Sequence, residues 1–172
     1  MRIVINDANI LIDLFHLDLV DVFFRLDNLD LKTTDFVFEE LYDEQKSVIE
    51  QFIQNQSLTL IESSVEDLMN ISQIHSSTTG LSIEDCSVWH HAKKNEGILL
   101  TGDAKLRKQS SADGVEVHGV LYIFDQLLIS NLISFELAIE KLNQLYSLNK
   151  RLPLTAKKQR LDSWTQSKHM PS

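Results

Sequence analysis

The 172-residue sequence contains a single cysteine, Cys86, and only five glycines. One cysteine cannot form an internal disulfide, which argues against a disulfide-stabilised secreted fold and favours a reducing compartment. No stretch approaches the roughly 18 consecutive apolar residues of a membrane span, so we expect a soluble cytoplasmic protein without a membrane partner. The chain also lacks a glycine-rich phosphate-binding loop, a serine nucleophile elbow and a Cys-x-x-Cys pair. Carboxylates are therefore the main candidates for chemistry.

Charge is distributed unevenly along the chain, whose net charge is −9. Residues 1–85 contain 17 acidic and 4 basic side chains, whereas residues 86–172 contain 8 acidic and 12 basic ones. One interpretation is an ordinary solvated surface. The other is that acids of the first half converge on a cation while basic residues of the second half meet a polyanion. The sequence leaves both interpretations open.

Short apolar runs alternate with helical patterns along the first two thirds of the chain. The runs predict strands at 3–5, 29–33, 58–61, 98–100 and 115–118. This alternation predicts an α/β fold, a three-layer α/β/α sandwich with a central, mainly parallel sheet and right-handed connections. Apolar positions from Val37 to Ile53 recur at helical spacing and predict one long helix capped by Thr34 or Asp35.

The composition becomes basic at residue 149, after the last strongly apolar helical pattern. We therefore predict one domain over residues 1–148 and a basic C-terminal extension over 149–172. Pro153 ends the preceding helix. Leu161 and Trp164 would anchor a final helix on the body of the protein, and the alternative is a flexible arm.

Four carboxylates occur where such a sheet would bring them together. Asp7 and Asp103 follow predicted strands, Asp85 lies in the first turn of a helix that Ser82 caps, and Glu40 lies beside an apolar helix stripe. The carboxyl ends of parallel strands are where open α/β sheets bind ligands. Closely packed like charges repel, and a hard divalent cation relieves that repulsion. Ligation by oxygen alone favours Mg²⁺ or Mn²⁺ over zinc.

Other interpretations of the same residues remain open. Each aspartate also suits a helix N-cap, and glutamates on helices are usually solvated. The six histidines lack metal-binding spacing, and the adjacent His90 and His91 would face different directions on a helix. The helix that Ser82 begins would end at a left-handed cap formed by Asn95 and Gly97. A phosphotransfer enzyme or receiver also places an aspartate after a parallel strand, but here no Asp-x-Asp pair follows the first strand.

The segments that contain the four acids resemble a known family. They read Asn6-Asp-Ala-Asn-Ile-Leu-Ile-Asp-Leu, Val37-Phe-Glu-Glu-Leu, Ile83-Glu-Asp and Ile98-Leu-Leu-Thr-Gly-Asp. In this order they are similar to the motifs of PIN-domain proteins, the nuclease fold of VapC-like toxins. The resemblance covers residues 1–130 and makes the predicted domain at 1–148 a PIN-like nuclease domain. The helices after Val120 make the chain longer than a compact toxin, as in an uncharacterised bacterial branch of the family.

The resemblance implies a metal-dependent endoribonuclease, a hydrolase that cleaves phosphodiester bonds of single-stranded RNA with Mg²⁺ or Mn²⁺. The catalytic and metal-binding quartet of the family corresponds to Asp7, Glu40, Asp85 and Asp103. Asn9 and Thr101 fall where the family has small polar residues that orient the site. We expect Lys105 and Arg107, near the last acid, to contact the RNA backbone without sequence preference. The resemblance also implies a toxin role with an antitoxin protein as partner.

The rival interpretation is a PIN-fold interaction protein or complex subunit without nuclease activity. The apolar helices predicted after Val120 motivate this interpretation, and they equally fit a plain core or the face of a homodimer. An antitoxin and a second copy of the chain are therefore both candidate protein partners.

Overall fold

The computed structural model describes residues 1–150 and 152–168, and a five-stranded parallel sheet lies at the centre of this part of the chain. The strands are β1 (Arg2–Asn6), β2 (Leu29–Thr34), β3 (Thr59–Ile61), β4 (Ile98–Leu100) and β5 (Glu116–His118). Their order across the sheet is β3-β2-β1-β4-β5, and all neighbours pair in parallel. The predicted α/β class is confirmed, and the sheet is wholly rather than mainly parallel.

Helices occupy the connections between strands and the described chain after β5. They are α1 (Ala8–His16), α2 (Val20–Phe23), α3 (Asp35–Glu40), α4 (Asp43–Gln54), α5 (Val65–Ser77), α6 (Ile83–Lys94), α7 (Ala104–Ala112), α8 (Val120–Ile129), α9 (Phe135–Leu148) and α10 (Leu154–Lys168). Strands β2 and β3 are added on one side of β1, and strands β4 and β5 are then added on its other side. Right-handed crossovers therefore place helices on both faces of the sheet. Within the described residues, none of the helices combines the length and apolar character that crossing a membrane requires.

The central strands are buried on both faces. Val4 and Ile5 of β1 and all three residues of β4 are inaccessible to solvent. A continuous apolar run, rather than an alternating one, is typical of a parallel strand covered by helices on both sides. The apolar run Ile98–Leu100 predicts a buried strand from the sequence for this reason.

The strand order reverses at β1, which lies between β2 and β4. In open parallel sheets such a reversal opens a crevice at the carboxyl ends of the two strands involved. Hydrogen bonds continue beyond these strand ends, from Asp7 N to Leu100 O at 3.0 Å and from Thr101 N to His118 O at 3.0 Å. Asp7 and Thr101 therefore lie at the same edge of the sheet, at its reversal point.

The single long helix predicted from Val37 to Ile53 is wrong, because α3 ends at Glu40 and α4 begins at Asp43. Leu41 is extended, with φ −71° and ψ 149°. The Gln45 side chain accepts a hydrogen bond from Tyr42 N at 3.1 Å and begins the second helix. The apolar spacing continues across the break because Leu41 is itself buried in the core. Periodicity alone therefore could not reveal two helices.

The predicted left-handed cap after α6 involves a different residue. Glu96 has the positive φ, 50°, whereas Asn95 is the C-cap residue with φ −96°. Gly97 is needed for another reason, since a Cβ there would lie 3.1 Å from both the carbonyl oxygen and Cγ2 of Ile3. The glycine thus permits a close approach between the end of α6 and β1.

The described part of the C-terminal extension lies against α8 and α9. Trp164 of α10 is 5% exposed and its ring centroid lies 5.9 Å from that of Phe124. Arg160 pairs with both carboxylate oxygens of Asp125, at 3.1 and 2.6 Å. Within the predicted extension, Arg151 and residues 169–172 lie outside the described residues. The domain boundary at 148/149 stays a prediction.

Candidate functional site

Asp7 occupies the position directly after β1 and is 3% exposed. Its Oδ1 accepts a hydrogen bond from Ala8 N at 2.7 Å, which caps α1. Its Oδ2 accepts hydrogen bonds from Thr101 Oγ1 at 2.6 Å and from Asn9 Nδ2 at 2.5 Å. Both oxygens are thus held in place, one by the helix start and one by polar side chains.

Asn9 and Thr101 connect Asp7 to the end of β4. Asn9 Oδ1 accepts a hydrogen bond from Gly102 N at 2.7 Å, while its amide nitrogen donates to Asp7. Thr101 is fully buried, and its hydroxyl oxygen accepts from Asp103 N at 3.0 Å. The structure therefore places both predicted supporting residues in contact with the first acid.

Asp103 caps α7, its Oδ1 accepting a hydrogen bond from Leu106 N at 2.7 Å. The Thr101 hydroxyl bonds to the Asp7 carboxylate and to the Asp103 backbone, so it links the two aspartates. Asp103 is more exposed than Asp7. It lies at the outer rim of the same sheet edge.

Asp85 lies at the start of α6, held by the predicted capping box. Ser82 N donates to Asp85 Oδ2 at 2.8 Å, and Asp85 N donates to Ser82 Oγ at 3.1 Å. Helix α6 packs against β1, β2 and β4. Only Oδ2 of the Asp85 carboxylate accepts the hydrogen bond of the capping box, and Oδ1 takes no part in it.

Glu40 is the last residue of α3 and approaches the site through the packing of α3 on α6. The Thr34 hydroxyl accepts a hydrogen bond from Val37 N at 3.2 Å and bonds to Ser87 Oγ at 2.8 Å, which ties the two helices together. Partial burial raises the pKa of Glu40, and the negative charges of Glu84 and Asp85 raise it further.

The electrostatics of Asp7 show that these acids act on one another. Burial is the largest cause that raises the pKa of Asp7, to about 7, and the charges of Asp85 and Glu40 add to the effect. Hydrogen bonds from Thr101 and Ala8 oppose it. Asp7, Glu40 and Asp85 therefore act on one another through their charges, whereas Asp103 is linked to Asp7 only by its backbone N–H, through the Thr101 hydroxyl. Carboxylates supply the oxygen donors that Mg²⁺ or Mn²⁺ prefers. Among the described residues, however, the group of three whose ligand atoms all lie within 4.8 Å of one another is Asp67, His90 and His91, and not a group drawn from the four predicted acids.

Helix capping, the structural alternative, accounts for part of this arrangement. Asp7, Asp85 and Asp103 all accept hydrogen bonds at the first turns of helices. Glu40 differs, because it lies at the C-terminal end of α3, where the helix dipole disfavours a negative charge. Capping thus explains the aspartates one at a time and does not explain Glu40.

The two basic residues predicted to contact RNA point to different places. Arg107 borders a cavity together with Thr101 and Gly102, and its Nη1 donates to Thr101 O at 3.2 Å. The ammonium of Lys105 lies against Gly80, where an added Cβ would collide with it. Arg107 therefore lies beside the acidic edge, whereas Lys105 packs on the loop that precedes α6.

Glu84 is a residue that the sequence interpretation missed. With Asp35, Glu39 and Glu40 it borders a groove of about 320 Å³, and its charge raises the pKa of Glu40. Its position next to Asp85 in the first turn of α6 was the available signal. The acidic surface beside the site is consequently larger than the predicted quartet.

A second cluster of ionisable groups, also missed, lies between α5 and α6. Contrary to the expectation that His90 and His91 face different directions, ligand atoms of both lie within 4.8 Å of each other and of Asp67. His90 Nε2 and Lys94 Nζ each lie 2.7 Å from Asp67 Oδ1. Because Lys94 already brings a positive charge to that oxygen, we interpret the cluster as an ion-pair network that joins two helices.

Comparisons with known proteins concern the family and the fold. A family model described as a PIN domain matches residues 3–166. The chain is similar in structure to VapBC-1 from nontypeable Haemophilus influenzae, with a TM-score of 0.52 and 15% identity, over 69% of this chain and 98% of that one. It also resembles VapBC2 from Rickettsia felis bound to a DNA fragment from their promoter, with a TM-score of 0.49, 12% identity, and coverage of 68% and 98%. No curated protein sequence matches this chain.

Proposed function

The chain belongs to the PIN-domain family, and on that premise we propose that it is a metal-dependent endoribonuclease that hydrolyses single-stranded RNA. The observation that carries this proposal is the position of Asp7 at the point where the strand order reverses, bonded there by Asn9 and Thr101. Burial is the main cause that raises its pKa to about 7, and the charges of Asp85 and Glu40 add to that effect. A protein that only needed helix caps would have no reason to bring these charges together.

Asp7, Asp85 and Asp103 would hold the divalent ion, with Asn9 and Thr101 keeping Asp7 in position. Bound there, Mg²⁺ or Mn²⁺ would lower the pKa of an attacking water and neutralise charge that develops on the phosphate. Thr101 and Asn9 both donate to Asp7 Oδ2, which sets the direction in which the remaining lone pairs of that carboxylate point.

Glu40 is suited to accept the proton of the attacking water. Partial burial, Glu84 and Asp85 raise its pKa above the ordinary value, which makes its carboxylate a stronger base. The oxygen of the water forms a bond to phosphorus while the bond from phosphorus to the 3′ oxygen breaks. That oxygen takes a proton from solvent, so the products carry a 5′-phosphate and a 3′-hydroxyl.

The test is cleavage of labelled single-stranded RNA in Mn²⁺, in Mg²⁺ and in EDTA by the wild-type protein, Asp7→Asn and Asp85→Asn. Asp43→Asn is the matched control, because Asp43 lies exposed in the first turn of α4. We expect cleavage that requires metal, is retained in the control and is lost in both site variants. Cleavage that persists in EDTA, or that survives Asp7→Asn, would contradict the mechanism.

As its biological role we propose the toxin of a toxin–antitoxin pair, with an antitoxin protein as partner. The VapC-like order of its acidic motifs supports this role. The single cysteine is buried and unpaired, which fits the reducing cytoplasm where RNA is found. Induced expression in a bacterial host should arrest growth, and Asp7→Asn should not. Equal growth of both strains at equal protein levels would argue against a toxin.

A second candidate, an interaction protein, is supported by an exposed apolar stripe on α5. Val65, Leu68 and Met69 share one face of that helix and are 75%, 44% and 69% exposed. Helices α8 and α9, which follow β5, bury half of their apolar side chains in the core, while Ile129 and Leu148 are exposed. Light scattering should show a dimer that Met69→Glu dissociates, if this stripe joins two copies. A monomer that cleaves RNA would remove the support for this candidate.

A further inference from the structure

A cavity of about 590 Å³ adjoins the acidic edge of the sheet. Thr101 and Gly102, which contact the Asp7 cluster, form one end of it. Leu152, Pro153 and Ala156, from the start of α10 and the turn before it, also border it. Its volume falls within the range of small-ligand sites, about 300–1,000 Å³. The cavity therefore continues the candidate site toward the C-terminal helix.

One cation in this cavity is free to bind an anion. Arg107 is half-buried, and its Nη1 donates a hydrogen bond to Thr101 O at 3.2 Å. The same nitrogen lies close to Gly119, since a Cβ added to that glycine would be 3.1 Å from it. Within residues 1–150 and 152–168, no carboxylate lies within 4 Å of its guanidinium nitrogens. A guanidinium with spare donors is suited to phosphate.

The two acids that border the cavity do not offset this cation fully. Asp125 is paired with Arg160 through both of its oxygens. Asp13 also borders the cavity, but among the described residues it forms no ion pair with Arg107. The positive charge of Arg107 is therefore available beside the acidic edge.

Aromatic and apolar side chains also border the cavity. The rings of His118 and Tyr122 both border it and are stacked on each other, with centroids 4.4 Å apart and planes at 17°. Flat rings beside an apolar wall bind nucleobases by stacking, without strong preference for one base. The cavity thus combines a phosphate-binding cation with a surface for a base.

We propose that this cavity is a base-binding subsite for the nucleotide next to the scissile phosphate of single-stranded RNA. Arg107 binds a backbone phosphate, and the base stacks on the aromatic pair against the wall formed by Leu152, Pro153 and Ala156. This inference rests on the proposed nuclease function. It assigns part of the substrate contact to the C-terminal segment, which the acidic motifs do not include.

The test measures binding of a short labelled RNA, by fluorescence anisotropy with Mg²⁺, in an Asp7→Asn background that does not cleave. Tyr122→Ala should weaken binding roughly 5- to 100-fold, as loss of a base-stacking ring does. Tyr122→Phe keeps the ring and should bind as the background protein does. Ala156→Trp, which fills the cavity, should weaken binding although Arg107, His118 and Tyr122 are all retained. Lys108→Ala removes a neighbouring exposed charge on α7 and should change binding less than twofold.

A set of RNAs with one abasic nucleotide at each position separates stacking from a structural effect. With an intact cavity, one position should be sensitive to loss of its base. In Tyr122→Ala that sensitivity should disappear. The ring on which the base stacks is already absent in this variant, so removing the base as well costs no further contact. Equal abasic profiles in both proteins, or tight binding by Ala156→Trp, would overturn the subsite. Failure of the wild-type protein to bind or cleave any RNA would instead overturn the nuclease proposal.

Discussion

At the scale of single residues, Asp7 combines two effects of opposite sign. Its carboxylate stabilises the start of α1 by accepting a hydrogen bond from Ala8 N. Burial and the charges of Asp85 and Glu40 penalise the same carboxylate when it is ionised. A residue kept only for capping would avoid this conflict, and the proposed cation would resolve it by neutralising the carboxylates.

The pKa of Asp7 predicts how the stability of the metal-free protein depends on pH. The folded pKa of about 7 lies above the ordinary value of 3.8 for an aspartate, so between these two pH values the folded state holds a proton that the unfolded state has lost. The contribution of Asp7 to the free energy of unfolding is therefore fully present below about pH 4 and is lost as pH rises toward 7. Relative to Asp7→Asn, the wild-type free energy of unfolding should fall by about 2–3 kcal/mol between pH 5 and pH 8.

Urea unfolding in EDTA across this pH range is the measurement. The same series in saturating Mn²⁺ is the control, and the wild-type slope should flatten there because the cation offsets the repulsion. Parallel curves for wild-type protein and Asp7→Asn in EDTA would show that the buried carboxyl is not perturbed.

Asp67 illustrates the opposite case, a buried carboxylate with enough partners. Lys94 and His90 bond to its Oδ1, and the backbone and hydroxyl of Ser64 bond to its Oδ2. The hydrogen bond from Lys94 is the largest cause that lowers the pKa of Asp67 well below its usual range. The stability it contributes is therefore present above pH 4 and lost as pH falls further.

Asp67→Asn should reduce the free energy of unfolding by about 2 kcal/mol at pH 7, within the range for hydrogen bonds to a charged group. The loss should shrink at acidic pH, where the wild-type carboxylate becomes protonated. Asp113→Asn is the comparison, because the ion pair of Asp113 with Lys93 lies at the surface and should contribute less than about 1 kcal/mol. Thermal unfolding of the two variants and of the wild-type protein between pH 3 and pH 7 measures both stability losses. Equal losses would show that burial of the network does not matter.

At the scale of elements, two helices begin with the same capping box and differ in what that box holds. In α5, Ser64 pairs with Asp67, and in α6, Ser82 pairs with Asp85. The box at α6 orients a candidate metal ligand, whereas the box at α5 orients a residue of the ion-pair network. The same local pattern therefore serves stability in one helix and the proposed chemistry in the other.

Ser82→Ala and Ser64→Ala should each cost about 1 kcal/mol of stability, the usual effect of removing an N-cap. Only Ser82→Ala should also reduce RNA cleavage, roughly tenfold, as loss of an outer contact to a metal ligand does. Unfolding curves measured beside cleavage rates separate the two effects. A similar loss of activity in both variants would indicate that activity simply follows stability.

At the scale of the whole molecule, α10 completes one side of the fold. Trp164 packs on Phe124, and Tyr146 donates a hydrogen bond to Pro153 O at 2.8 Å. These contacts join the proposed extension to α8 and α9, and the same segment borders the cavity beside Arg107. We therefore expect the extension to unfold together with the domain.

Trp164→Ala should destabilise the protein by about 3 kcal/mol, the lower end of the range for loss of a buried tryptophan. Leu154→Ala is the control on the same helix, because Leu154 is 75% exposed and should change stability by less than about 0.5 kcal/mol. Calorimetry should show one transition in all three proteins, with a lower Tm for Trp164→Ala alone. A second transition in the wild-type protein would instead separate the extension from the domain.

Much of the candidate site was predictable because its signals are local. Asp7 and Asp103 lie two and three residues after the ends of apolar runs, and Asp85 lies three residues after a capping serine. Glu40 was harder to place, because its position depends on the break at Leu41 and on the packing of α3 against α6. Whether these four acids bind metal and cleave RNA stays a prediction.

The sequence by itself determined the strands, the serine N-cap of α6 and the motif order that indicates a PIN domain, because each depends on residues near one another in the chain. Only the tertiary structure decided which neighbouring side chains face the site, as Arg107 and Lys105 show. It also decided the network at Asp67, whose partners His90 and Lys94 lie 23 and 27 residues away. The physical reason is that charge interactions and burial depend on distance in space, and chain folding brings together groups whose separation in sequence carries no local pattern.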